Sequence, residues 1–128
     1  MEDVLIDTQS FIWFFEDNPR LPVSVRLFME RKKSLVVSIV SFWEITIKTS
    51  LGKLAVPEGI SGLMDKALFK GFKILPIERE HLVVLSTLEL IHRDPFDRII
   101  ISQAIAENMP LVSSDNIFKQ YPVNYVWE

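Results

Sequence analysis

The chain has 128 residues, 48% of them hydrophobic and 24% charged, with a formal net charge of −3. That balance excludes a disordered tail and a generic polyanion binder, because unspecific nucleic-acid binding leans on neutralising phosphates with basic charge. The absence of cysteine excludes disulfides, thiolate zinc sites and cysteine nucleophiles, and agrees with a reducing, cytoplasmic setting.

The length suits one domain, so residues 1–128 are expected to form a single unit. Met1-Glu2-Asp3 carries no basic stretch of the kind that opens an export signal. The most apolar run, Leu35 to Trp43, contains two serines and is too short to span a bilayer, so no membrane partner is expected.

Val4 to Ile6 is a short, wholly apolar strand candidate that runs into Asp7. Phe11-Ile12-Trp13-Phe14-Phe15 follows, too apolar all round for an exposed helix, and is either buried or part of an interface. Asn18-Pro19-Arg20-Leu21-Pro22 breaks the chain. Val23 to Arg31 has helical spacing, and Arg31-Lys32-Lys33 reads as its solvated, basic end. Leu35 to Ser38 is a second strand. A helix is expected from Ser41, where Ser41-x-x-Glu44 spells a capping box, to near Gly52. Trp43, with its apolar neighbours, is expected in the core.

After a loop from Lys53 to Gly59, Ile60 to Lys70 reads as a helix stopped by Gly71. Lys73 to Ile77 is a third strand, placed toward an edge by Pro76. Glu80 to Ile91 is helical, and Asp94-Pro95 opens a further helix to about Asn108. Leu111 to Ser113, a short helix over Asn116 to Tyr121, and a fifth strand over Asn124 to Trp127 complete the chain. Strands alternating with helices predict an α/β fold: a central, mostly parallel sheet of about five strands with helices on both faces.

The familiar phosphate and hydrolase motifs are missing. There is no Walker A, no G-x-G-x-x-G and no G-x-S-x-G, and His81 and His92 form no H-E-x-x-H and read as surface or loop residues. What remains is carboxylate chemistry. Asp7 follows the first strand, Glu44 lies just past the second, Asp115 just past the fourth, and Asp94-Pro95-Phe96-Asp97 opens a helix. In a parallel sheet the residues beyond the strands' carboxyl ends share one crevice, where ligands bind. Acids gathered without bases repel unless one is protonated or a cation neutralises them, and a hard ion such as Mg²⁺ prefers oxygen ligands. Each acid also has a purely structural use: Glu44 in the capping box, Asp94 as N-cap, Asp97 in a first turn, Asp115 as a cap of the last helix. Asp7 is the hardest to explain that way.

Taken together, Leu5-Ile6-Asp7-Thr8, Ser41-Phe42-Trp43-Glu44-Ile45 continuing to Lys48 and Leu51-Gly52-Lys53-Leu54, His92-Arg93-Asp94-Pro95-Phe96-Asp97-Arg98 and Leu111-Val112-Ser113-Ser114-Asp115 resemble the PIN-domain proteins. The likeness is specifically to the VapC-like toxins of bacterial toxin–antitoxin pairs. It spans nearly the whole chain in the family's order. It implies a three-layer PIN-like fold and a Mg²⁺- or Mn²⁺-dependent endoribonuclease acting on RNA. It also implies a homodimer, held inactive by a small cognate antitoxin. By position, Asp7, Glu44, Asp97 and Asp115 match the family's metal-binding, catalytic quartet, and Asp94 matches as the helix cap. Many relatives carry histidine after the Asp-Thr pair, where this chain has Gln9. Rival readings are a catalytically silent PIN-like binding module, a carboxylate-based phosphatase and a phosphoacceptor receiver. The phosphatase wants an aspartate where Gln9 stands, and the receiver wants an acid pair ending the first strand and a lysine after the last.

Overall fold

The structure, a computed structural model, describes residues 2–31 and 34–127. Its strands are β1 (Val4–Ile6), β2 (Leu35–Ser38), β3 (Lys73–Leu75), β4 (Leu111–Val112) and β5 (Tyr125–Val126). The helices are α1 (Thr8–Phe15), α2 (Val23–Arg31), α3 (Ile39–Ser50), α4 (Gly59–Phe69), α5 (Arg79–Thr87) and α6 (Pro95–Ala106), with a 3₁₀ turn over Asn116–Gln120. The sheet order is β3-β2-β1-β4-β5, and every pairing is parallel.

Side chains on a strand point alternately to opposite faces, and here the alternation builds two cores. Val4, Ile6, Leu35, Val37 and Val112 pack with Phe11, Val25, Met29, Phe42, Ile45 and Leu63 from α1 to α4. Leu5, Val36 and Leu111 face the other way, onto Ile100, Ile101, Ala104 and Phe118. The three-layer α/β fold expected from the sequence is therefore present. Because β1 and β2 are buried on both faces, they read as continuous apolar runs.

The apolar run in α1 divides between core and surface. Phe11 is fully buried and Ile12 and Phe14 are buried, whereas Trp13 and Phe15 stay partly accessible. Phe11 meets Phe42 and Phe72 edge-on, with ring centroids 5.3 and 5.5 Å apart. A buried phenylalanine contributes about 1.5–3 kcal/mol through desolvation, so this cluster anchors α1 to the sheet.

Several expected boundaries shift. The first-strand, second-strand and α6 starts stand, but α3 begins at Ile39 with Ser38 as N-cap, its Oγ accepting from Val40 N at 3.0 Å. The expected capping box at Ser41 and Glu44 is thus not formed: Ser41 points inward and shares a 2.8 Å hydrogen bond with Thr8. β3 stops at Leu75, since Pro76 offers no N–H to extend the ladder. α5 stops at Thr87 rather than Ile91, and the carbonyls of Leu88 and Glu89 instead accept from the Arg98 guanidinium at 3.2 and 2.9 Å. Gly52 and Gly71, with φ of 71° and 94°, end α3 and α4 in a left-handed conformation that suits glycine. At the basic end of α2, Arg31 is exposed, while Lys32 and Lys33 lie outside the described residues. No helix among the described residues is long and apolar enough to cross a membrane.

Candidate functional site

From β1 the chain moves to β2 and β3 on one side, then returns to place β4 and β5 on the other. The reversal lies between β1 and β4, and such a switch point opens a crevice at the strands' carboxyl ends. Asp7 is the first residue past β1, and Ser113, Ser114 and Asp115 follow β4.

Asp7 is buried at 6% exposure and caps α1. Its Oδ1 accepts from Ser10 N at 2.9 Å, and its Oδ2 accepts from Ser113 Oγ at 2.8 Å. Burial pushes its carboxyl above the ordinary carboxylate value, hydrogen bonds from Ser10 and Ser113 oppose the rise, and the Asp115 charge adds to it. Ser113 Oγ in turn accepts from Asp115 N at 3.1 Å, so one hydroxyl ties the ends of β1 and β4 together. Asp115 caps the 3₁₀ turn through Ile117 N at 3.0 Å. Across from both acids, burial raises the Tyr125 phenol, followed by the charges of Asp7 and Asp115.

A second pair forms between α3 and α6. Glu44 sits well inside α3, where its Oε2 meets Lys48 at 3.4 Å in the favourable i,i+4 order. Its Oε1 is buried and has no hydrogen-bond partner. Asp97, in the first turn of α6, has its Oδ2 within hydrogen-bond distance of His92 Nε2, 3.2 Å away. The Asp97 carboxyl is pushed up to about 6, chiefly by burial and then by the Asp94 charge, with the His92 hydrogen bond opposing the rise and the Glu44 charge adding to it. Asp94 itself is exposed and acts as the α6 N-cap, accepting from Phe96 N and Asp97 N at 3.0 and 3.1 Å.

The Asp115 charge thus acts on Asp7, and the charges of Asp94 and then Glu44 act on Asp97. Among the described residues no group of three or more histidine, cysteine, aspartate or glutamate side chains is arranged to hold a metal ion. The donor chemistry nevertheless fits a hard divalent cation. All four candidate ligands are carboxylates, and the Glu44 Oε1 is a buried acceptor with no hydrogen-bond partner.

Two readings from sequence are overturned nearby. Trp43 is 58% exposed rather than in the core, its ring edge-on to Phe96 at 5.0 Å. It precedes Glu44, and a helix residue next to one facing the acid pair turns away by about 100°. His81 is fully buried rather than at the surface, its Nδ1 accepting from Glu78 N at 2.9 Å and its Nε2 2.8 Å from Glu107 Oε2. Sequence reading also missed Ser10, Ser113 and His92 as partners of the acids. The Ser113-Ser114-Asp115 run held a signal for one of them: Ile6 pairs with Val112, so the next residues, Asp7 and Ser113, stand level with one another beyond the two strands.

A PIN domain family model matches residues 4–124. Solved structures share the fold over nearly the full length. The crystal structure of VapBC2 from Rickettsia felis, bound to a DNA fragment from their promoter, holds a chain 17% identical, with a TM-score of 0.72 and 96% of each chain covered. The crystal structure of DNA-bound VapBC from Salmonella typhimurium gives 14% identity, a TM-score of 0.75 and 98% coverage of each. FitAcB from Neisseria gonorrhoeae gives 16%, 0.68 and 95% of each. No match was found among curated proteins. The all-parallel five-stranded sheet, the acids beyond its carboxyl edge and the match over residues 4–124 agree: the chain belongs to the PIN domain family.

Proposed function

We propose that this chain is a VapC-like toxin, a Mg²⁺- or Mn²⁺-dependent endoribonuclease in which residues 1–128 act as one nuclease domain in the cytoplasm. The observation that carries the reading is the buried, unpartnered Glu44 Oε1 beside an Asp97 whose carboxyl is pushed up to about 6. Carboxylates crowded in this way are relieved by a divalent cation. Asp7, Glu44, Asp97 and Asp115 are the residues that would hold it. When bound, such an ion lowers the pKa of a water and offsets charge on the leaving oxygen of a phosphodiester.

The remaining groups hold the acids in place. Ser10 N and Ser113 Oγ occupy one lone pair on each Asp7 oxygen, which fixes the carboxylate and leaves a second lone pair on each. The Thr8–Ser41 hydrogen bond joins the starts of α1 and α3, and so joins the segments that carry Asp7 and Glu44. Lys48 keeps Glu44 from carrying its charge alone before a cation arrives.

A small antitoxin is the proposed protein partner. Its place is an apolar groove of about 460 Å³ lined by Phe11, Ile12, Phe15, Ile45, Leu54 and Val56, which matches the accessible side of α1. A homodimer is proposed as well. Trp43, Ile47 and Leu51 form an exposed apolar stripe at i, i+4, i+8 on α3, and Trp13 and Phe15 of α1 remain partly accessible.

One observation favours a second reading, a PIN-like binding module without turnover: among the described residues, no three or more acids are grouped so as to hold a metal ion. A labelled RNA incubated with purified protein distinguishes the two. The nuclease reading expects cleavage with Mg²⁺ or Mn²⁺ and none with EDTA. Retarded but intact RNA under every metal condition would select the binding module.

A further inference from the structure

Resting on the nuclease reading, we propose that Arg98, Tyr121 and His92 are positioning residues. Together they hold His92 as a one-way hydrogen-bond donor to Asp97 Oδ2 and so fix that carboxylate for a divalent cation.

Tyr121 is nearly sealed, at 4% exposure. Its Oη receives His92 N at 3.2 Å and Arg98 Nη1 at 3.3 Å. Both are obligate donors, and a phenol oxygen has two lone pairs and one proton. With both lone pairs taken, the phenol proton is directed at its third neighbour, His92 Nδ1, 2.6 Å away. His92 Nδ1 is then an acceptor, and the proton of the neutral ring sits on Nε2. That nitrogen lies 3.2 Å from Asp97 Oδ2. The order of donation runs in one direction: Arg98 to Tyr121, Tyr121 to His92, His92 to Asp97. No hydrogen bond among the described residues reaches Asp97 Oδ1, so that oxygen is left for a ligand.

Arg98 supplies the frame. Its guanidinium makes no ion pair among the described residues. Its Nη2 donates to the carbonyl of Leu88 at 3.2 Å, and the two protons of Nη1 serve three acceptors, one of them shared: the carbonyls of Glu89 and His92 at 2.9 and 3.5 Å and Tyr121 Oη at 3.3 Å. The segment between α5 and α6 that carries His92 is thereby strapped onto α6, one residue past Asp97. The edge-on contact of the His92 and Tyr121 rings, with centroids 5.4 Å apart, fixes the plane of the imidazole. Partners of this kind set the tautomer and orientation of groups around metal sites, and losing one typically weakens metal affinity by about 10–100-fold. The sequence alone hides the arrangement, because Tyr121 lies 29 residues from His92.

The test combines a spectroscopic signature with metal affinity. The protein has two histidines, and long-range ¹H–¹⁵N correlation spectra of ¹⁵N-histidine-labelled protein report the tautomer of each. Both should be Nε2–H, His81 because Glu78 N donates to its Nδ1. Tyr121→Phe keeps the buried ring and removes only the hydroxyl. It should convert His92 to a tautomer mixture while leaving His81 unchanged as an internal control. By calorimetry, Tyr121→Phe and His92→Ala should bind Mn²⁺ about tenfold more weakly than wild type. His92→Gln, which can still donate from the Nε2 position, should recover most of the loss. An Nδ1–H tautomer for His92 in the wild type would overturn the donor order. Wild-type Mn²⁺ affinity in both Tyr121→Phe and His92→Ala, in a protein that cleaves RNA, would overturn the positioning role. A wild-type chain that binds no Mn²⁺ defeats the nuclease reading and the cation part of this one, while the tautomer spectra still decide the hydrogen-bond order.

Discussion

Replacing Asp97 with asparagine should make the metal-free protein more stable while it damages the site. The Asp97 carboxyl is raised from 3.8 to about 6, chiefly by burial and then by the Asp94 charge. Between those two values the folded chain holds a proton that the unfolded chain has released, so stability falls as pH rises through the window and levels off above it. A shift of that size corresponds to about 3 kcal/mol at about 1.36 kcal/mol per unit. The side chain is 24% exposed, so solvent screening reduces the figure to about 1–2 kcal/mol. The amide oxygen introduced by Asp97→Asn could still accept from His92 Nε2, and the new side chain would carry no charge to repel Glu44 or Asp94. Asp97→Asn in EDTA at pH 7.5 should therefore melt about 3–6 °C higher than wild type for a chain this size. The gain should shrink steadily toward pH 4. Adding Mg²⁺ should raise the wild-type melting temperature more than that of the variant, because only the native state binds the ion. Differential scanning fluorimetry across pH 4–8, with and without Mg²⁺, measures all of this. A variant that melts at or below wild type at pH 7.5, or a difference that does not change with pH, would refute the reasoning.

The two aspartates that open α6 should separate by role. Asp94→Ala removes acceptors for Phe96 N and Asp97 N and should lower stability by about 0.5–2 kcal/mol in thermal melts. Asp97→Ala should mainly reduce Mn²⁺ affinity and cleavage, and loss of metal binding by Asp94→Ala alone at an unchanged melting temperature would reverse the assignment. Phe11→Ala, at a fully buried ring meeting Phe42 and Phe72, should destabilise by about 3–5 kcal/mol in urea titrations. Light scattering should give a dimer at micromolar concentration, and Trp43→Glu or Leu51→Glu on the exposed α3 stripe should shift it toward monomer; a wild-type monomer throughout the range would defeat the dimer.

Much of the fold was legible because parallel strands buried on both faces announce themselves. Val4 to Ile6 and Leu35 to Val37 have no polar face, and each is followed by a helix. The acid after β1 and the acid beyond β4 were legible for the same reason: the end of a buried strand is where polar side chains resume. The details that misled were choices between equivalent local signals. Ser38 and Ser41 are both good N-caps, and only Thr8, distant in sequence, turns Ser41 inward and leaves the cap to Ser38. That choice moves Glu44 out of the first turn and removes its simplest structural explanation. Trp43 looked like core because its neighbours are apolar, but Phe42 and Ile45 fill the core-facing positions of α3 and Trp43 falls between them. His81 looked like a surface residue because nothing local shows that Glu107, at the end of the helix packed against it, lies within reach of its Nε2. α5 ends early because Leu88 turns to an extended backbone (φ −71°, ψ 129°), and the Arg98 guanidinium then satisfies the carbonyls of Leu88 and Glu89.

On the proposed function, the acids beyond β1 and β4 and at the α3–α6 contact would hold a divalent ion for the cleavage of RNA. Single-turnover cleavage of a labelled single-stranded RNA, followed against Mg²⁺ concentration for wild type and Asp7→Asn, tests this most directly. The variant keeps the helix-capping acceptor at Ser10 N, since asparagine caps nearly as well as aspartate, so its melting temperature should stay close to wild type. The expected result is saturable, Mg²⁺-dependent cleavage by wild type, abolished by EDTA, and no cleavage above background by folded Asp7→Asn. Undiminished cleavage by Asp7→Asn, from preparations free of contaminating nuclease, would contradict it.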